Sequence, residues 1–213
     1  MQLPFTHDQF LDVFASYNRA LWPAALALWL ATAGLCVQLV RGRAGGGALI
    51  SGLLAVLWGW AGVAYHLVYF RQINPAAAVF AALFVAQALF LLWRGVARHR
   101  LVFVAGNSAW SRLGLALVAY ALIYPAVGLA SGLSYPRLPT FGVPCPTGIL
   151  TAGLLLLTPP REARWVAPIP LLWAIVGGSA AFVLDIRADL ALVAGGVLLL
   201  VYVVRRTRDH ALR

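Results

Sequence analysis

The chain alternates between long apolar runs and short polar or basic breaks. Seven apolar runs can be traced along its 213 residues, at positions 20–40, 48–70, 76–93, 113–131, 147–158, 166–184 and 190–204. A helix that crosses the hydrocarbon core of a bilayer needs about 20 mostly apolar residues. The pattern therefore predicts an all-α, polytopic membrane helix bundle with seven transmembrane helices. Residues 1–213 are expected to form a single transmembrane domain.

The composition agrees with a lipid environment. Hydrophobic residues make up 62% of the chain and charged residues 10%. A soluble domain carries roughly 25% charged residues. The chain is therefore neither a water-soluble globule nor a disordered polymer, and its two cysteines form no disulfide framework.

The basic residues set the expected orientation. All 16 are arginines, and twelve of them flank one side of the runs: Arg41, Arg43, Arg94, Arg98, Arg100, Arg112, Arg161, Arg164, Arg205, Arg206, Arg208 and Arg213. The other side has four, namely Arg19, Arg71, Arg137 and Arg187. Because cytoplasmic loops carry the excess of positive charge, we expect the N-terminus outside and the C-terminus in the cytoplasm. Arginines at membrane flanks do not indicate nucleic-acid binding, despite the net charge of +10.

The segment before the first run is amphipathic. Within residues 5–18, the side chains of Phe10, Val13, Phe14 and Tyr17 share one helical face. This spacing predicts a short helix lying in the outer interface. Such a helix could anchor the first span or cover a site as a lid, and periodicity supports both interpretations.

The fifth run is too short to cross a bilayer as a helix alone. Pro146 suits the first position of a helix, and the run ends near Thr158. A helix of that length is about 20 Å long, whereas the hydrocarbon core is about 30 Å thick. Prolines and arginines at 159–164 fix the cytoplasmic end. Residues 139–146 are therefore predicted to be a broken or re-entrant segment on the outer side.

Irregular backbone inside a bilayer survives only against protein or beside a water-filled cavity. Two interpretations follow for residues 139–146. One is a packed loop without a ligand. The other is an outward-facing polar cavity, with the N-terminus of the fifth helix as its floor. The free N–H groups and positive dipole end there would favour a small-molecule ligand or an anion.

His66 is the only histidine within a predicted span. An ionisable residue in a span is a candidate functional residue, although a neutral histidine that hydrogen-bonds to a neighbouring helix is the simpler interpretation. The candidate cavity or ligand-binding residues are those expected at its depth: Tyr17, Asn18, Tyr65, His66, Thr140, Cys145, Thr147 and Asp185.

The chemistry expected of the chain is limited. It has no spaced cluster of cysteines and histidines for a closed metal site, and no lysine for a phosphate-binding loop. No metal, no cofactor and no catalytic residue is assigned from the sequence.

Four segments carry a resemblance to a known family. They read YNxxxWP at 17–23, YH at 65–66, INPA at 73–76 and PTFGxPCPT at 139–147. Together they resemble a family of bacterial integral membrane proteins of similar length that is catalogued only as a domain of unknown function. The resemblance spans nearly the whole chain and implies a multi-pass protein of the inner (plasma) membrane. It implies no activity.

A weaker likeness is to seven-span membrane hydrolases of the alkaline ceramidase and adiponectin-receptor type. Those proteins place a zinc ion on several histidines and an acid within the spans. Here His66 has no partner histidine in the last two predicted spans. The sequence therefore departs from that pattern at the metal site.

Three function classes remain. The favoured one is a small-solute transporter or ligand-binding membrane protein with the outward-facing cavity described above. The alternative is a structural or assembly subunit of a membrane complex. A membrane hydrolase or thiol enzyme would need Cys145 as nucleophile within hydrogen-bond reach of His66 as base. Membrane lipids are expected partners, nucleic acid is not, and a homo-oligomer is left open.

Overall fold

The computed structural model describes residues 4–42 and 46–211. In these residues all regular secondary structure is helical, which confirms the all-α prediction. The helices are α1 (His7–Val40), α2 (Gly46–Trp60), α3 (Ala77–Leu91), α4 (Ala109–Ala130), α5 (Pro144–Leu155), α6 (Pro160–Val166), α7 (Pro168–Val183) and α8 (Leu190–Ala211). Helix α2 continues as a π-helix (Ala61–Tyr69) and a 3₁₀ turn (Phe70–Gln72), and α3 as a second π-helix (Leu92–Ala97). A 3₁₀ turn (Arg187–Asp189) precedes α8.

Several of these helices can cross a membrane. Among the described residues, five stretches are long and apolar enough: His7–Val40, Gly46–Gln72, Ala77–Ala97, Ala109–Ala130 and Arg187–Arg205. Helices α6 and α7 meet at an angle of 57° and count as a sixth if they form one broken span. Helix α5 has only 12 residues. These helices indicate a membrane protein, and the seventh crossing stays a prediction.

The short helix predicted at residues 5–18 is continuous with the first span. Helix α1 runs without interruption through His7–Val40. Its start is capped by Thr6, whose hydroxyl accepts a hydrogen bond from the Gln9 backbone N–H at 3.2 Å. The helical periodicity continues past residue 18 with no glycine or cap to end it, so the segment forms the first turns of α1. The apolar face there is real, since Leu11, Phe14 and Tyr17 are buried.

Helix α5 lies at the centre of the bundle. All of its residues are buried except Cys145, which is half-buried. Its tightest contact is with α4, where Gly153 and Gly114 face each other. A Cβ atom placed on either glycine would lie 2.7 Å from the carbonyl oxygen of the other. Such close helix packing is typical of small residues in membrane bundles.

The boundaries of α5 differ from the prediction. The helix begins at Pro144, two residues before Pro146, and Val143 is its extended N-cap. Both prolines fall in the first turn, where backbone N–H groups have no intrahelical acceptor, so neither proline breaks the helix. The helix also ends earlier, at Leu155.

The chain between α4 and α5, residues 131–143, is irregular. Of the segment predicted to be irregular, 139–146, residues 139–143 lie in this loop and residues 144–146 belong to α5. Asn18 of α1 holds it by donating from Nδ2 to the carbonyl oxygens of Pro136 at 2.7 Å and Leu138 at 2.8 Å. The Thr140 hydroxyl donates to Oδ1 of Asn18. Both ends of one amide thus satisfy polar groups of the loop, which is therefore packed against protein.

A second anchor lies at Gly142. The Tyr17 hydroxyl donates to the carbonyl oxygen of Phe141 at 3.2 Å and accepts a hydrogen bond from Nε1 of Trp60 at 2.7 Å. Gly142 has a φ of +82°, and a Cβ atom there would lie 2.8 Å from the Tyr17 hydroxyl. Only glycine fits both the backbone conformation and the close approach.

Two ion pairs tie the same loop to the first turns of α1. The Arg137 guanidinium lies 2.8 Å from Asp12 and 3.3 Å from Asp8. The hydrogen bond with Asp12 raises the pKa of Arg137. All three side chains are exposed, so these pairs orient the loop more than they stabilise it.

Candidate functional site

A cavity of about 250 Å³ lies at the end of the bundle that the arginine pattern assigns to the outside. One wall is formed by Phe5 just before α1, by Phe10 and Phe14 in the first turns of α1, and by Phe70 in the 3₁₀ turn that follows the π-helix. These rings pack on one another, with centroids 5.4 Å apart for Phe5 and Phe70 and 5.0 Å apart for Phe10 and Phe14. The first turns of α1 therefore cover the cavity.

His66 lines the cavity from the π-helix Ala61–Tyr69. Its side chain is 1% exposed, and neither ring nitrogen has a hydrogen-bond partner among the described residues. Aromatic rings surround it, with centroids 4.8 Å away for Phe84, 5.3 Å for Trp173 and 5.7 Å for Phe80. The simpler interpretation, a histidine bonded to a neighbouring helix, is therefore not what the structure has.

Trp173 of α7 presents a second such group. Its indole Nε1 is buried and has no hydrogen-bond partner in the described part of the chain. The ring meets that of His66 edge to face, and both residues line the cavity. Buried polar groups are paired in the great majority of cases, and an unpaired one costs about 1–3 kcal/mol. Two unpaired groups on one cavity are therefore unusual.

The third polar feature is a buried carboxyl group. Asp189 is 4% exposed and lines the cavity at the start of α8. The hydroxyl of Tyr124, itself fully buried, donates to Oδ1 of Asp189. The Cys145 thiol, in the first turn of α5, also lies within hydrogen-bonding reach of Asp189. Helices α4, α5 and α8 thus meet at one carboxylate.

Three of the residues proposed from the sequence line this cavity: Tyr65, His66 and Cys145. Tyr17, Asn18 and Thr140 instead form the anchors of the loop before α5. The Thr147 hydroxyl donates to the carbonyl oxygen of Val143 at 2.9 Å, within the first turn of α5.

The structure corrects the expectation for Asp185. Its side chain is 83% exposed, 3.8 Å from Arg187, and it does not line the cavity. The 3₁₀ turn Arg187–Asp189 ends at Asp189, and the side chain of this residue is buried while that of Asp185 is exposed. Asp189 was not among the candidate residues taken from the sequence. Its position next to the last apolar run was the signal that could have marked it as buried.

Trp173 and Tyr124 were also missed. Aromatic residues within spans are ordinary core residues, and nothing in the local sequence distinguishes these two. Their role depends on which helices become neighbours, which only the fold shows.

The geometry disfavours the thiol enzyme. Because the nitrogens of His66 have no partner among the described residues, His66 and Cys145 do not form the required hydrogen-bonded pair. The neighbour of Cys145 is Asp189. In the described residues, no group of three or more His, Cys, Asp or Glu side chains could hold a metal ion.

A family model agrees with the resemblance carried by the sequence motifs. The model of DUF6064, a family of unknown function, matches residues 7–213. No curated protein and no solved structure matches the chain. Since the family match covers almost the whole sequence, the protein belongs to the DUF6064 family.

Proposed function

We propose that the protein is a multi-pass membrane protein that binds a small, mainly apolar molecule in the cavity beneath the first turns of α1. The observation that carries this proposal is His66, buried and lining the cavity with both ring nitrogens unpaired among the described residues. A ligand with a hydrogen-bonding group would supply the missing partner and remove the cost of the unpaired imidazole.

The lining supports an amphipathic ligand over a strongly hydrophilic solute. Small-molecule sites are mostly apolar with a few convergent polar groups, and volumes of about 300–1,000 Å³ are typical. The cavity has such a lining, and its volume of about 250 Å³ is just below that range. Three polar residues line the cavity: Trp173 on α7, Asp189 in the 3₁₀ turn before α8, and His66 on the π-helix. Transport of such a molecule across the membrane would begin with its binding in this cavity.

An anion at the α5 N-terminus is the less favourable ligand. Cys145, in the first turn of α5, already has the carboxyl group of Asp189 as a neighbour. A second negative charge there would be repelled by Asp189 in a poorly solvated site.

We also propose seven crossings, with the N-terminus outside, in the inner membrane. The split of arginines between the two ends supports this orientation. In this topology α5 crosses with the help of the irregular segment before it, and α6 and α7 form one bent crossing. The cavity then opens toward the outside.

Cys145 provides the test, because it lines the cavity. In a Cys36→Ser chain in lipid nanodiscs, we expect N-ethylmaleimide to alkylate Cys145 slowly in the folded protein. Neopentylbenzene, a small neutral apolar probe, should protect it. Ala180→Phe, which fills the cavity, should slow alkylation, whereas Ile175→Phe on the same helix should not, since Ile175 is 71% exposed and does not line the cavity.

Two results would refute binding in this cavity. One is a Cys145 thiol that reacts only after denaturation. The other is equal alkylation of the Ala180→Phe and Ile175→Phe chains, with no protection by the probe.

A further inference from the structure

We propose that the ligand is a small organic cation, an ammonium whose charge lies beside Asp189. This inference rests on the proposed binding function and specifies the chemistry of the same cavity. It starts from the charge balance of the site.

Asp189 is buried and has no cationic partner among the side chains that the structure describes. Its neighbours are the hydroxyl of Tyr124 and the thiol of Cys145, both neutral groups. No ion pair joins Asp189 to any described basic side chain. A buried charge is costly unless it is paired, and two neutral hydrogen-bonding groups compensate only part of that cost. A cation in the cavity would complete the pairing.

The rest of the lining fits a cation as well. Asp189 is the only charged residue among the described residues that line the cavity, so no arginine there would repel an ammonium. The lining also includes the aromatic side chains of Tyr65, Phe80 and Trp173. Ammonium groups are attracted to aromatic rings, and this attraction is stronger when the cation is desolvated.

The unpaired nitrogens of His66 and Trp173 indicate which hydrogen-bonding groups the ligand carries. A neutral imidazole has one donor and one acceptor nitrogen, and an indole has a donor only. His66 could therefore accept from an ammonium N–H, while Trp173 could donate to an oxygen of the ligand. An amine that also carries a hydroxyl, ether or carbonyl oxygen would use both groups.

A matched series of probes tests the charge. Benzyltrimethylammonium and neopentylbenzene have nearly the same shape, and benzylsulfonate is a negatively charged analogue. Each probe is titrated against the Cys36→Ser chain in phosphatidylcholine nanodiscs, with protection of Cys145 as the readout. Partitioning of each probe is measured on empty nanodiscs and used to correct its concentration. The zwitterionic lipid removes attraction of the ammonium to the membrane surface.

We expect the ammonium to bind at least about ten-fold more tightly than its neutral isostere, and the sulfonate to bind most weakly. In Asp189→Asn the preference for the ammonium should fall to within about three-fold, because the carboxylate is gone. The comparison of the three probes is made on the Cys36→Ser chain, in which Asp189 is unchanged. A folding defect in Asp189→Asn therefore leaves that comparison valid.

The two proposals fail in different ways. Equal binding of ammonium and neutral isostere would overturn the cation inference and leave a neutral apolar site. Protection by none of the three probes would overturn the binding function itself.

Discussion

The hydroxyl of Tyr124 on α4 donates to the carboxylate of Asp189 at the start of α8, and both side chains are buried. This single hydrogen bond joins two residues that are 65 positions apart in sequence. It also fixes the position of the carboxylate on the cavity wall.

Removal of that hydroxyl should destabilise the protein. Tyr124→Phe leaves a buried carboxylate with one partner fewer, at an expected cost of about 1–3 kcal/mol. Thermal unfolding in detergent measures the effect. Tyr120→Phe is the matched control, because the Tyr120 hydroxyl donates to the carbonyl oxygen of Ala188 from a less buried position. Equal losses in the two variants would contradict the special role of the Tyr124 bond.

The anchor of the loop before α5 can be tested at two glycines. Gly142 and Gly132 have φ values of +82° and +94°, so alanine strains the backbone at both. At Gly132 a Cβ atom meets nothing within 4 Å, and we expect a cost of about 1–2 kcal/mol. Gly142→Ala should cost about 1–3 kcal/mol more, because its Cβ atom would push on the Tyr17 hydroxyl. If unfolding measurements give the same loss for both, the Tyr17 contact does not matter.

The close contact of α4 with α5 gives a third prediction. Gly153→Ala places a Cβ atom against the carbonyl oxygen of Gly114 and should destabilise the bundle by about 1–3 kcal/mol. Gly34→Ala on α1 should be neutral or slightly stabilising, since a Cβ atom there meets nothing within 4 Å. Thermal unfolding of both variants in one detergent makes the comparison. A neutral Gly153→Ala would show that the helices can separate at no cost.

The proposed orientation is open to a direct test. A reporter active only in the cytoplasm should work when fused after Arg213 and fail when fused after Leu133, in the loop between α4 and α5. A reporter active only outside the cytoplasm should give the reverse pattern. Outside activity of the Arg213 fusion would overturn the topology.

Much of the fold follows from hydrophobicity, since an apolar run of sufficient length has few alternatives to a helix in lipid. The centres of the helices were therefore predictable. Their ends were not, as α5 shows: two prolines fit within its first turn, and the sequence alone placed its start at the second. The start of α1 was uncertain for a similar reason, because a change from polar to apolar composition is not itself a helix break, and the short helix at 5–18 could be bounded only by composition.

The site was less predictable than the fold. His66 and Cys145 could be singled out as unusual groups within apolar segments, and both line the cavity. The choice between Asp185 and Asp189 depended on a 3₁₀ turn that includes Asp189 but not Asp185. The π-helix that carries Tyr65 and His66 also has no sequence signature. It changes the angle between successive residues, and two adjacent side chains reach the same cavity.

The length of α1 determines how a molecule would reach the cavity. A helix of 34 residues extends about 51 Å, whereas about 20 residues suffice for the hydrocarbon core. In the proposed topology the apolar run at positions 20–40 lies in the core, and Phe14 and Phe10 stand about 9 and 15 Å beyond it, at and above the outer lipid headgroups. The part of the cavity wall that Phe14 forms would then lie beside the headgroup layer. Molecules that concentrate at the headgroup layer would arrive there by lateral diffusion in the outer leaflet.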